Sequence, residues 1–170
     1  LVYSLMVANT YDKDGKPYMA GKAADVVAKM EGYNVTKEAS DKFVHRGQTV
    51  DFTVTTQMAS KTNANNEALT TFKVIDTSTG LKADSFLLKS VKIAGKPVTV
   101  DTSKATAVSS ANGTVTYTVD LSDFISTTEA GTTIEVKYSA IVENDHTYNN
   151  SATVNSNTVN YVPGIVNGYT

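Results

Sequence analysis

Cysteine and tryptophan are both absent from this sequence of 170 residues. Without cysteine the chain has no disulfide, no thiolate zinc site and no cysteine nucleophile. Without tryptophan, and with aromatic residues at 8%, it has little material for a sugar-stacking platform. The composition is rich in Thr, Val, Asn, Ser and Tyr, which favours an extracellular protein. Such a protein, lacking disulfides, needs another covalent or packing device to stay folded outside a cell.

Histidine is scarce as well, because His45 and His146 are the two in the chain. Both fall in polar, turn-like segments without a nucleophile motif nearby, so neither a Ser-His-Asp triad nor a zinc site is indicated. No glycine-rich loop precedes a helix, which removes support for nucleotide binding. We therefore expect no metal and no cofactor. Carboxylates from distant strands can still meet in a β fold, so a carbohydrate-active enzyme is kept as one alternative.

Clusters of positive charge and long apolar runs are also missing. The formal net charge is −2, the sequence pI is about 5.6, and the basic residues are scattered singly. This distribution argues against nucleic acid and anionic membranes as partners. No apolar run reaches the length that spans a bilayer, and the opening segment Leu1–Met6 lacks the basic flank of a signal peptide.

The pattern that is present is the two-residue alternation of β-strands. Apolar and polar residues alternate over Val50–Thr55, Phe72–Asp76 and Thr133–Val142, which places one face of each segment in a core. Turn signals separate these segments, and no long helix is indicated. Met58–Ala68 is polar and is predicted to be a surface loop with little to add to the core. The sequence therefore predicts an all-β protein built as a two-sheet sandwich or barrel.

The length of the chain favours one large β domain. We predict a single domain over residues 1–162, opening with a leading strand and loop over residues 1–21. The tail, residues 163–170, begins with the strand-breaking pair Pro163 and Gly164. We predict that this tail is a linker to a following domain.

Three polar residues fall in phase with apolar neighbours on their strands. Lys29 interrupts an apolar run, Asp76 shares a face with Phe72, and Asn150 shares a face with Ala152. Two interpretations stay open at this point. Either the three groups point inward and react with one another, or each has an ordinary structural role. In the second case Lys29 extends to solvent at a sheet edge, Asp76 caps a turn and Asn150 bonds to nearby backbone.

Five segments in order along the chain resemble the isopeptide-forming second domain of Gram-positive backbone pilins. They are Val27–Lys29, Arg46–Val54, Phe72–Thr77, Val136–Ala140 and Asn149–Val154. The likeness runs over about residues 22–162, and this range is the predicted isopeptide-type core. It implies an immunoglobulin-like two-sheet β-sandwich from the shaft of a sortase-assembled fimbria.

The resemblance also implies a site. In that family a lysine on the first strand is joined to an asparagine on the last strand while a mid-chain acid assists. Carried over to this sequence, the lysine is Lys29, the acid is Asp76 and the asparagine is Asn150, with Asn149 and Asn157 as alternatives. Burial lowers the pKa of a lysine and makes its neutral amine a nucleophile, and it favours a protonated acid that polarises the carboxamide. The reaction is self-processing and not enzymatic turnover.

The function that the resemblance implies is structural. The chain is expected to be a domain of a cell-wall-anchored pilus on a Gram-positive bacterium, with neighbouring pilin subunits and sortase as partners. An adhesin domain of the same fold that binds a host ligand is the main alternative. Two family features are not recognisable in the sequence, namely the polymerisation lysine motif around Val7–Lys16 and an LPXTG-type sorting signal.

Overall fold

The computed structural model describes residues 32–144 and 147–169. The chain divides into two compact units, residues 1–32 and 33–170, and the fold described below is that of the second unit. The predicted leading strand and loop over residues 1–21, the predicted start of the core at residue 22, and Lys29 all lie outside the described residues.

The described part of the chain forms two antiparallel five-stranded sheets. Its strands are β1 (Thr36–Ala39), β2 (Thr49–Gln57), β3 (Phe72–Thr79), β4 (Leu87–Ile93), β5 (Lys96–Val98), β6 (Ala105–Ser109), β7 (Val115–Asp120), β8 (Thr133–Ile141), β9 (Thr147–Ser156) and β10 (Gly164–Tyr169). Three short 3₁₀ helices lie between strands, at Ala83–Ser85, Thr102–Lys104 and Ser122–Thr127. The first sheet has the order β1-β2-β8-β4-β5 and the second has the order β10-β9-β3-β7-β6. This arrangement confirms the predicted all-β, two-sheet sandwich.

The core lies between the sheets and is built from the inward residues of alternating strands. On β2 the side chains of Val50, Phe52 and Val54 are fully buried, as the alternation predicts. The long strands β8 and β9 show the same period, with buried and exposed positions alternating along most of their length. Burial of these apolar side chains is the main favourable term in folding, at about 25 cal/mol per Å² of apolar surface.

The loop after β2 differs from its prediction in one respect. Residues 58–71 contain no named strand, which confirms a loop over Met58–Ala68. Met58 and Ala59, however, are both 0% exposed and belong to the core. Met58 is held there by its backbone, because its amide donates to Thr132 and its carbonyl accepts from Gly131. The loop therefore starts inside the sandwich and becomes a surface segment only afterwards.

The prediction that residues 163–170 are a linker is wrong for Gly164–Tyr169, which form β10. This strand pairs with β9 from Gly164 opposite Ala152 to Tyr169 opposite Thr147. Its backbone groups on the side of β9 are thus hydrogen-bonded to that strand, which outweighs the low strand propensity of its two glycines.

Gly168 has a specific reason to be glycine. It lies directly opposite Tyr148 in the β9–β10 register, and an added Cβ would stand 1.9 Å from the Cε2 atom of that ring. The Tyr148 ring is fully buried and covers the glycine. A tyrosine lying over a glycine on the paired strand is a recurring way of stabilising a sheet edge.

Among the described residues, no helix has both the length and the apolar character needed to cross a membrane.

We predict that Gly168→Ala destabilises the domain by about 1–3 kcal/mol, because the methyl group overpacks the Tyr148 ring. The free energy of unfolding, measured with denaturant, checks this value. The matched control is Asn167→Ala on the same strand, for which a change within about 0.5 kcal/mol is expected. Equal stabilities for the two variants would show that β10 does not pack on Tyr148.

Candidate functional site

Lys37 lies on β1 and directs its side chain into the core. Its neighbours Thr36 and Glu38 are exposed, whereas the Lys37 side chain is 0% exposed. The Nζ atom lies 4.6 Å from the centroid of the Phe52 ring. Burial lowers the pKa of Lys37, against the attraction of Asp76, which raises it. Burial thus shifts the protonation equilibrium of Lys37 toward its neutral amine.

Asp76 lies in the middle of β3 and is 1% exposed. Its strand is hydrogen-bonded on both sides, with Tyr117 of β7 and Ala152 of β9 opposite Asp76. The Oδ2 atom accepts a hydrogen bond from Lys37 Nζ at 2.5 Å and a second from the hydroxyl of Tyr138. The Oδ1 atom is buried and has no hydrogen-bond partner among the described residues. This position inside a sheet is not that of a turn cap.

Asn150 lies on β9, also 1% exposed, two residues from the partner of Asp76. Because it shares the inward face with Ala152, its side chain and that of Asp76 occupy diagonal positions on neighbouring strands. Neither the Oδ1 nor the Nδ2 atom of Asn150 has a partner among the described residues, and the same holds for Oγ of Ser78, which lies opposite. A buried polar group without a partner costs about 1–3 kcal/mol. Such a group calls for an explanation.

Aromatic rings surround these polar groups. The ring of Tyr138 lies 5.6 Å from that of Phe52 and 5.3 Å from that of Tyr117, measured between centroids. Phe86 stacks on Tyr117 at 4.9 Å. The rings keep the local dielectric low, which strengthens the electrostatic interactions among the enclosed groups.

Of the three predicted residues, the structure buries Asp76 and Asn150 on one core face, and Asp76 contacts Lys37 there. Lys37 was not predicted, because it lies in the short polar run Thr36–Ala39, next to a glutamate. A signal was present, since Val35 and Lys37 are two residues apart and therefore share a strand face. The predicted lysine, Lys29, lies outside the described residues.

The two alternative asparagines have other surroundings. Asn149 is exposed, and its Nδ2 donates to the Thr79 hydroxyl at 3.3 Å. Asn157 bridges the loop before β3, because its Oδ1 accepts from the amides of Thr70 and Thr71 and its Nδ2 donates to the Ala68 carbonyl. Neither side chain is part of the buried cluster.

His45 is exposed, and His146 falls outside the described residues. Across residues 32–144 and 147–169, no group of three or more His, Asp or Glu side chains could hold a metal ion.

Comparison with known proteins identifies the fold. The sequence matches no protein-family model, and no curated protein matches it. The structure is similar to the fimbrial protein FimP from Actinomyces oris, with a TM-score of 0.53, 18% identity, and coverage of 79% of this chain and 36% of that one. It is similar to the major pilin SpaD from Corynebacterium diphtheriae, with a TM-score of 0.50, 15% identity, and coverage of 80% and 34%. The structure is also similar to the N-terminal domain of the Streptococcus gordonii adhesin Sgo0707, with a TM-score of 0.51, 12% identity, and coverage of 80% of this chain and 32% of that one.

These similarities establish the fold of the domain. The described part of the chain has the β-sandwich fold found in major pilins of Gram-positive bacteria and in a streptococcal adhesin. The chain spans about a third of the length of each of these three proteins.

We predict that Asn157→Ala destabilises the domain by about 0.5–1.5 kcal/mol, because the amides of Thr70 and Thr71 lose their acceptor at an exposed site that water can reach. Hydrogen exchange at these two amides should accelerate, and NMR measures both rates. In the control Asn149→Ala, which removes an exposed contact, the two rates should stay at their wild-type values. Unchanged exchange in Asn157→Ala would mean that the bridge contributes nothing to the loop.

Proposed function

We propose that this chain is a structural domain of a surface pilus on a Gram-positive bacterium, strengthened by an internal isopeptide bond between Lys37 and Asn150. Lys37 takes the role that the sequence analysis gave to Lys29, and Asp76 is the assisting acid. The observation that carries the proposal is the buried contact between Lys37 and Asp76. Asp76 shares its core face with Asn150, whose side chain has no hydrogen-bond partner among the described residues. The shared fold with major pilins supports the structural role.

The reaction requires a neutral amine on Lys37, the form toward which burial shifts its pKa, and a proton on Asp76. Lys37 presents a neutral amine, and the protonated Asp76 donates a hydrogen bond to the carboxamide oxygen of Asn150. The Nζ atom attacks Cγ, a proton passes from Nζ through Asp76 to Nδ2, and the Cγ–Nδ2 bond breaks. One amide forms, one ammonia leaves and Asp76 ends protonated as it began. No external reactant is needed, and each molecule reacts once.

The bond would join the two sheets, because β1 belongs to one and β9 to the other. It would also close a loop of more than a hundred residues within the chain. A tensile force applied to the ends of the domain would then pass through the bond without extending the strands between Lys37 and Asn150. A shaft subunit without disulfides requires such resistance to mechanical unfolding. Neighbouring pilin subunits and sortase are the partners that such a role implies.

The adhesin alternative shares the same fold, as the similarity to Sgo0707 illustrates. A binding role needs an exposed recognition surface. The Met58–Ala68 loop, the candidate for that surface, contains neither an aromatic residue nor arginine. The buried Lys37 cluster serves no binding surface, so the pilus role explains more of the structure.

We predict that the intact protein is lighter than its sequence mass by one ammonia. Proteolytic mapping should find one branched peptide that joins the segment around Lys37 to the segment around Asn150. High-resolution mass spectrometry of the denatured protein measures both. An unshifted mass would overturn the cross-link, whereas a branch at Lys29, Asn149 or Asn157 would retain the bond and refute the assignment of its ends.

We further predict that Asp76→Ala folds to the same sandwich but keeps its unshifted mass, because the apolar pattern and not the carboxylate specifies the strands. Loss of the bond should lower stability by about 4–5 kcal/mol in the chain-entropy description of a long closed loop. Thermal unfolding and protease resistance measure the effect.

Lys37→Ala should show the same loss, and the double variant Lys37→Ala with Asp76→Ala should be little worse than either single one. Non-additivity is expected because both residues act through one bond. Fully additive losses, or an Asp76→Ala protein that still sheds ammonia, would assign the assisting role to another acid.

A further inference from the structure

Tyr138 is the third polar group that meets Lys37 and Asp76, and the reaction as proposed so far does not use it. It lies on β8, in the centre of the sheet opposite Asp76, and is 1% exposed. Its hydroxyl accepts a hydrogen bond from Lys37 Nζ and donates one to Oδ2 of Asp76. Burial raises the pKa of Tyr138 well above its ordinary value. The phenol therefore stays protonated and acts as a donor.

The two oxygens of Asp76 have different surroundings. Oδ2 accepts from Lys37 and from Tyr138, whereas Oδ1 has no partner among the described residues. In a neutral carboxylic acid one oxygen is a carbonyl that accepts two hydrogen bonds, and the other carries the proton. With two donors directed at it, Oδ2 matches the carbonyl oxygen. If Asp76 is neutral, Oδ1 is then the oxygen that carries its proton.

We propose that Tyr138 is a positioning residue for isopeptide formation, holding Oδ2 of Asp76 as the carbonyl oxygen so that Oδ1 presents the proton to Asn150. This inference rests on the proposed function. Tyr138 neither gains nor loses a proton in the reaction. It acts through Asp76, by fixing which oxygen is the donor.

The Tyr138 hydroxyl thus determines which oxygen of Asp76 carries the proton. If the Tyr138 hydroxyl is removed, Oδ2 loses a donor and the proton of Asp76 is free to occupy either oxygen. Molecules with the proton on Oδ2 direct no donor from Oδ1 at the carboxamide of Asn150. General acid assistance by a placed proton contributes about 10²–10⁴-fold to a rate. Partial loss of that placement should slow bond formation without abolishing it.

The test compares Tyr138→Phe with Tyr117→Phe. Tyr117 is the matched control, because its ring is also buried and lies 5.3 Å from that of Tyr138, while the described hydrogen bonds of Asp76 go to Lys37 and Tyr138. Each full chain is purified unfolded from inclusion bodies, checked for its unshifted mass, refolded by dilution, and quenched at intervals. Mass spectrometry of each sample gives the fraction that has lost ammonia. We expect Tyr138→Phe to react at least about tenfold more slowly than wild type, and Tyr117→Phe to react within about twofold of it.

A second measurement separates positioning from packing. In an Asn150→Ala background, where the bond cannot form, the infrared carbonyl stretch of the protonated Asp76 reports the donors on its carbonyl oxygen. The band is assigned by isotope-labelled aspartate and by its loss in Asp76→Ala. Adding Tyr138→Phe should move it to higher frequency, whereas adding Tyr117→Phe should leave it in place. Thermal unfolding in the same background shows whether either change disturbs the fold.

The outcomes distinguish this inference from the proposed function. If wild type forms no bond on refolding, the proposed function itself fails. If wild type forms the bond and Tyr138→Phe matches the rate of Tyr117→Phe, the positioning role is overturned while the cross-link stands. A carbonyl band that Tyr138→Phe leaves unmoved, or no protonated-acid band at all, also overturns it. A slow Tyr138→Phe variant whose fold is equally destabilised in the Asn150→Ala background assigns the effect to packing and overturns the role.

Discussion

The burial of Lys37 against Asp76 is the interaction on which the rest of the site depends. Placing an ammonium and a carboxylate in an apolar interior costs several kcal/mol of desolvation free energy per ion. Their mutual attraction offsets this cost only when the geometry is favourable. Burial lowers the pKa of Lys37, and the proposed reaction, which starts from a neutral amine and a neutral acid, relieves this cost. The same condition makes the amine a nucleophile. Stability and reactivity therefore have a common physical origin in this domain.

The sandwich brings these groups together from four strands. Lys37 comes from β1 at the edge of one sheet, and Tyr138 comes from the central strand β8 of the same sheet. Asp76 and Asn150 come from the neighbouring strands β3 and β9 of the other sheet. Each strand is oriented by its own apolar alternation, so the site is a by-product of the packing that forms the core. An amide between Lys37 and Asn150 would fasten the sheets across that core.

Much of this arrangement could be predicted from the two-residue period alone. Asp76 and Asn150 share phase with apolar neighbours over strands of eight and ten residues, and the structure buries both. Lys37 was missed because β1 has four residues and its sequence, TKEA, resembles a solvated segment. Its burial depends on tertiary pairing with β2, which a short polar run does not reveal. The strand β10 was missed for a related reason, since the glycine that lowers its strand propensity is the residue that fits beneath Tyr148.

NMR of isotope-labelled protein observes most directly the proposed covalent bond between Nζ of Lys37 and Cγ of Asn150. With label on the lysine side-chain nitrogens and the asparagine Cγ carbons, the account predicts one lysine nitrogen with an amide shift, a single attached proton and a one-bond coupling to Cγ. That signal should disappear in Lys37→Arg and in Asn150→Ala. If every lysine nitrogen keeps an amine shift, or if the coupled signal persists in either variant, the account is contradicted.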